Sequence, residues 1–301
     1  MSNDRYLRML MRRRAISSNY FQLTALSDNC DFKLFGYGYV PTIELDVSLD
    51  NGRTWTTSTY KQASSVTSST TAVSYTLASG INSGQSIMLR GDNSDFSLGA
   101  NGGGTFYTNK ANNWSFNATN SFSVSGNIMT LIDRTGKKSV VEKDYMFFCL
   151  FSGSTRIVDA KGLVIPATTL SYYSYGSMFY GCSKLQNAPL VIPDATVQRM
   201  CYRSMFENCV SLVESPHIQF KNNPMINIST SGAVFFYTFK GCSSLNKINV
   251  DFETWDSEKG SLIYQWVSNV ASSGTFFKPK SLEEKYGINY IPSGWTVIDK
   301  E

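Results

Sequence analysis

The chain has 301 residues, a formal net charge of +4, 42% hydrophobic and only 17% charged residues, enough apolar material for two or three compact cores. Arg5, Arg8, Arg12, Arg13 and Arg14 against Asp4 place the whole excess charge in residues 1–19, so a broad basic face for nucleic acid is not expected. No apolar run is long enough to cross a bilayer, and the N-terminus lacks the apolar stretch of a secretory signal, so neither membrane insertion nor export is expected.

At the start of the chain, Leu7, Leu10 and Met11 share one helical face while Arg5, Arg8 and Arg12 lie on another, which predicts a helix over residues 4–15. So short a helix is marginal alone. Residues 1–19 therefore read as a frayed tail or as a docking arm, in which Arg5, Arg8, Arg12, Arg13, Arg14, Leu7, Leu10 and Met11 contact another protein.

Residues 20–93 change to strand patterns at Phe21 to Leu26, Asp31 to Phe35, Thr42 to Ser48, Ala72 to Ala78 and Ser86 to Arg90. Abundant Gly, Ser and Asn between short strands predict an Ig-like β-sandwich module. Asn51-Gly52 suits a type I′ hairpin turn, with Trp55 opening the return strand. Residues 94–145 read as a small second β module or linker, with strands at Trp114 to Ala118, Ser121 to Ser125 and Ile128 to Ile132. Its glycine run, Gly102 to Gly104, has no helix pattern after it and is a loop rather than a phosphate cradle.

Residues 146–250 repeat. Phe179-Tyr180-Gly181-Cys182-Ser183-Lys184-Leu185 recurs as Phe206 to Leu212 and Phe239 to Leu245, with a degenerate copy at Phe151 to Ile157. The phenylalanines are 28, 27 and 33 residues apart, the last interval holding an insertion near residues 221–230. Leu163-Val164-Ile165-Pro166 recurs in the same register as Leu190-Val191-Ile192-Pro193. A unit of this length cannot bury its own apolar side, so units must stack. Phe151, Phe179, Phe206 and Phe239 with Cys182, Cys209 and Cys242 are then the repeated core. Tyr175 to Phe179 reads as a short helical turn, followed by a strand that buries Leu185, Ala188 and Leu190. Six cysteines without a C-x-x-C and a single histidine, His217, argue against a zinc site. The even count leaves disulfides open, but three cysteines at one repeat position suit buried small hydrophobes.

The phrases Met178-Phe179-Tyr180-Gly181-Cys182-Ser183-Lys184-Leu185, Pro166-Ala167-Thr168-Thr169-Leu170 and Cys201-Tyr202-Arg203-Ser204-Met205-Phe206 resemble BspA-like leucine-rich repeats of gut-bacterial surface proteins and their phages. Weaker echoes extend the resemblance from about residue 40 to the C-terminus, where residues 251–301 look like the cap that ends such arrays. The resemblance implies a fold class: mainly β, with a short leucine-rich solenoid behind sandwich-like modules. The array departs from family habit in its interruption and in Asp194 and Glu214. It implies architecture and leaves the biochemical role open.

Aligned repeats stack Asp159, Asn187, Glu214 and Lys247 in one column, either a solvated face or a ligand surface. Tyr172, Tyr173, Tyr180 and Tyr202, in a cluster with Tyr175, are candidates for the same surface, since tyrosine combines an apolar ring with a polar tip. His217 reads as an ordinary surface histidine, and no pair of carboxylates stands out for glycoside cleavage. No catalytic residue, metal or cofactor is expected. The expected role is a phage virion protein, a head or tail fibre or other appendage, anchored by its arm to other virion proteins and forming a homo-oligomer. Its repeats would bind a host-surface glycan or protein. The alternatives are a secreted or surface adhesin of a gut bacterium and a glycan depolymerase.

Overall fold

The computed structural model describes residues 20–62, 72–99, 112–220, 233–255 and 263–300. The expected helical arm, with all its docking residues, and the glycine run lie outside the described residues. What is described is mainly β, in several sheets, with no α-helix among the described residues.

Nine strands come first: β1 (Phe21–Ala25), β2 (Cys30–Tyr37), β3 (Ile43–Ser48), β4 (Thr56–Tyr60), β5 (Ala72–Ile81), β6 (Ser86–Arg90), β7 (Ser97–Gly99), β8 (Asn112–Ala118) and β9 (Phe122–Asn127). The remainder are β10 (Val140–Val141), β11 (Ile157–Val164), β12 (Thr169–Leu170), β13 (Val191–Ile192), β14 (Thr196–Val197), β15 (Glu214–Ile218), β16 (Lys247–Val250), β17 (Thr275–Pro279) and β18 (Thr296–Lys300). One sheet has the order β11-β9-β1-β6-β3-β4 and a second β5-β2-β8-β7. Every second residue of β1 and β2 is buried, so Phe21, Leu23, Phe32 and Leu34 meet Trp114 and Phe116 in one apolar core. Each such side chain contributes roughly 1.5–3 kcal/mol by leaving water.

Three differences from the sequence reading concern this half. β8 and β9 do not form a separate module. They pair with β2 and β1 and complete the two sheets, because their apolar residues face the same core. Residues 128–132 are not a strand: Ile128–Leu131 is a buried 3-10 turn, opened where the Asn127 side chain accepts from the Met129 N–H. The β3–β4 hairpin is longer than a two-residue turn. Asn51 and Gly52 both have positive φ, but the Asp50 carboxylate organises the loop by accepting from the N–H groups of Arg53 and Thr54.

The second half is built from parallel pairings. β13-β15-β16-β17-β18 form a five-stranded sheet and β10-β12-β14 a small parallel one. Bridges Asp159–Asn187 and Asn187–Glu214 carry the pairing from β11 to β15, and β11 itself pairs in parallel with β9. The repeats thus continue directly from the six-stranded sheet, with one core running from Phe21 to Trp295. Pairing also passes residue 250 through β17 and β18, so the segment expected to be a cap supplies two further strands.

Opposite these strands lie five rows of turns, at residues 145–154, 173–182, 200–209, 233–242 and 263–269. The expected helical turn at Tyr175 to Phe179 is absent, for a hydrogen-bonding reason. In the second row the N–H groups of Tyr173, Tyr175, Ser177, Phe179 and Gly181 donate to carbonyls of Arg199, Cys201, Arg203, Met205 and Glu207 in the third. Those of Gly176, Met178, Tyr180 and Cys182 donate three residues back within their own row. Alternating the two partners forces every fourth residue to positive φ, as at Tyr173, Ser177 and Gly181, and again at Met200, Ser204 and Asn208. The strand expected after each row is shorter than read: beyond the bridge at Asn187 only Val191–Ile192 pairs, with Leu185 and Ala188 buried and Leu190 half-buried.

Candidate binding surfaces

Parallel pairing sets one residue of each strand beside its counterpart, about 4.8 Å away. Asp159, Asn187, Glu214 and Lys247 are Cα partners in that sense, and the column extends to Thr275 and Thr296. All are exposed or half-buried, because their neighbours Ala188, Ile248 and Phe276 take the inward positions. Within the column Lys247 Nζ lies 2.7 Å from Glu214 Oε1. Asp159 uses one carboxylate oxygen to accept the Lys161 N–H at 2.6 Å. The face offers amide, carboxylate, ammonium and hydroxyl groups in series.

A second outward column holds Val191, His217, Asn249, Phe277 and Ile298. His217 Nε2 lies 2.8 Å from Asp251 Oδ1. The Lys300 ammonium reaches across β17 to the same carboxylate oxygen and to Asn249 Oδ1. Burial alone would push the Asp251 carboxyl up, but the His217 and Lys300 hydrogen bonds outweigh it and hold it at about 2. The cluster ties β18 to β16 and β15. The imidazole of His217 is thus engaged by a carboxylate.

The core column is stacked ring on ring. Phe151–Phe179, Phe179–Phe206 and Phe206–Phe239 have centroids 5.1, 5.4 and 5.6 Å apart with nearly parallel planes. Beside it, the Cys182, Cys209 and Cys242 thiols donate to the carbonyls of Phe151, Phe179 and Phe206. All six cysteines are free and buried, and burial pushes these three thiols up. Among the described residues, no group of three His, Cys, Asp or Glu side chains is placed to hold a metal.

Two tyrosines read as ligand contacts are not on the surface. Tyr173 is 1% and Tyr202 0% exposed. Tyr202 stacks between Tyr175 and Phe235 in a second core column, and Tyr173 lies over Gly176, where a Cβ would touch its ring. Tyr172 and Tyr180 are half-buried. The turn rows carry a feature that sequence reasoning missed. Arg203 sits over the Phe236 ring at 4.7 Å and the Tyr173 ring at 6.0 Å. Phe236 contacts Tyr237 and Tyr264, while Tyr173 contacts Tyr172 and Tyr145. The result is a ribbon of rings and cations crossing all five rows.

Comparison with family models, curated proteins and solved structures finds no match. The surfaces must therefore be read from their own chemistry. The ladder column was visible in the sequence as a repeat offset. The ribbon was not, since the equivalent positions Phe148, Gly176, Arg203, Phe236 and Tyr264 keep no common residue type along the rows.

Proposed function

We propose that residues 146–250 are a short solenoid of BspA-like leucine-rich repeats, followed by a C-terminal segment 251–301 and built onto a β-sandwich in a bacteriophage virion protein. The protein is structural and adhesive rather than enzymatic. Its N-terminal arm docks on other virion proteins, and its ladder face binds a glycan or protein on the host surface. The observation that carries this reading is the in-register column Asp159, Asn187, Glu214 and Lys247, extended by Thr275 and Thr296. It presents varied hydrogen-bonding groups on a rigid parallel ladder, the arrangement that suits recognition of an elongated polar ligand.

Two further points support it. Six buried free thiols favour assembly in a reducing cytoplasm over a secreted adhesin, which would be expected to use disulfides. The engagement of His217 by the Asp251 carboxylate, itself held by Lys300, suits a structural role for this imidazole. The test is adsorption of labelled full-length protein to host cells. Saturable binding is expected, and the triple variant Asn187→Ala/Glu214→Ala/Lys247→Ala should bind at least about tenfold more weakly, each lost contact contributing on the order of 1 kcal/mol. Equal adsorption by the two proteins would remove the ladder face from the account.

A further inference from the structure

We propose that this chain forms a two-fold dimer in which the edge strand β18 pairs antiparallel with β18 of a second copy, centred on Ile298. Such a dimer is independent of what the ladder face binds. β18 lies at the edge of the five-stranded sheet, and its register against β17 is unbroken from Thr275–Thr296 to Pro279–Lys300. Thr296 donates its N–H to the Gly274 carbonyl on the β17 side. Alternation along the strand turns Ile298 and Lys300 the same way and points the N–H and C=O groups of Val297 and Asp299 outward. Among the described residues nothing bonds to those outward groups. A bare row of this kind is a template for another strand.

Native edges are commonly protected by charge. This one carries Asp299 and Lys300, and both are turned back into their own chain. Asp299 accepts from Lys278 at 2.7 Å, while Lys300 reaches Asn249 at 2.8 Å and the Asp251 carboxylate. The large side chain left in water on β18 is Ile298, 43% exposed. Tyr286 and Ile288, 50% and 49% exposed, belong to the same end of the stack, in the layer whose Ile288 carbonyl accepts the Val267 N–H of the last row. A solenoid end that stays in water needs a polar outer face. Three large apolar side chains suit a covered one.

The strand is complementary to itself. Antiparallel pairing about Ile298 sets Val297 of each copy opposite Asp299 of the other. Both residues offer an outward N–H and C=O, so each of these pairs closes with two hydrogen bonds. Ile298 then meets its own copy in the closer, non-hydrogen-bonded pairing, where side chains touch. Thr296 falls opposite Lys300, so no like charges stand directly opposed. The same patch serves both copies, and the contact closes at two.

Sedimentation equilibrium of the full-length chain from about 1 to 100 µM should show a reversible dimer and nothing larger. Ile298→Lys and Ile298→Glu each set like charges together across the two-fold and should weaken association at least about tenfold. An equimolar mixture of the two variants should regain dimers, because each lysine then meets a glutamate. Should the charged variants fold poorly, Ile298→Cys provides a second reading: it should cross-link to a dimer under mild oxidant, with the six buried native cysteines left reduced. A chain monomeric throughout this range, a dimer unmoved by Ile298→Lys, or assembly that grows past two copies overturns the proposal. Slow hydrogen exchange at the Val297 and Asp299 amides of the monomer would do the same, by showing that the chain covers this edge itself.

Discussion

The Cys209 thiol donates to the Phe179 carbonyl of the preceding row at 3.0 Å, from a site with no exposure. Replacing it by alanine leaves a small void and removes that donor, at a cost of about 1–3 kcal/mol measured as a shift of the urea midpoint. Because burial raises these thiols, native protein should resist alkylation at all six cysteines until it is unfolded, as read by mass spectrometry. The Tyr175 and Tyr202 hydroxyls are buried without a hydrogen-bond partner among the described residues. Tyr175→Phe should therefore be neutral or stabilising by up to about 1 kcal/mol in the same assay. Asp251 titrates at about 2 in the folded chain, below the ordinary carboxylate range near 4. A depressed folded value means that its contribution is complete above about pH 4 and is lost as pH falls towards 2. The stability gap between wild type and Asp251→Asn should be largest near neutrality and close over that acid window.

At the level of elements, the period of the repeats was legible because burial imposes it: Phe and Cys recur wherever a row must fill the same slot. The conformation of the rows was not. Met178, Phe179 and Cys182 have the spacing of a helical face, yet the alternate N–H groups belong to the next row, as Phe179 donates to Met205, 26 residues away in sequence. Local pattern cannot register that choice. Likewise Ile128 to Leu131 reads as a strand by composition and is a 3-10 turn because the Asn127 side chain takes the Met129 N–H. The row geometry makes its own prediction. Gly241 has φ +76, and a Cβ there would lie 2.3 Å from Asn208 Oδ1. Gly241→Ala should cost about 1–2 kcal/mol, less than Phe206→Ala, which opens the stacked column and should cost about 3–5 kcal/mol. Thermal unfolding of both variants checks the order.

On the scale of the whole molecule, composition was a sound guide to a mainly β chain, but not to its continuity. β8 and β9 look like a separate module in sequence and are interior strands, because long-range pairing with β2 and β1 leaves no local trace. The ladder column was recoverable from repeat offset alone, whereas the aromatic ribbon needed the rows to be brought together in space. One core from Phe21 to Trp295 implies a single cooperative unfolding transition for the first two sheets and the first rows, seen as coincident circular dichroism and tryptophan fluorescence curves. The functional account turns on where this molecule is found. Mass spectrometry of phage particles purified through a density gradient should detect the chain at a fixed ratio to the capsid protein, and deletion of residues 1–17 should remove it from the particles. Its absence from intact particles of the wild-type phage would contradict the account.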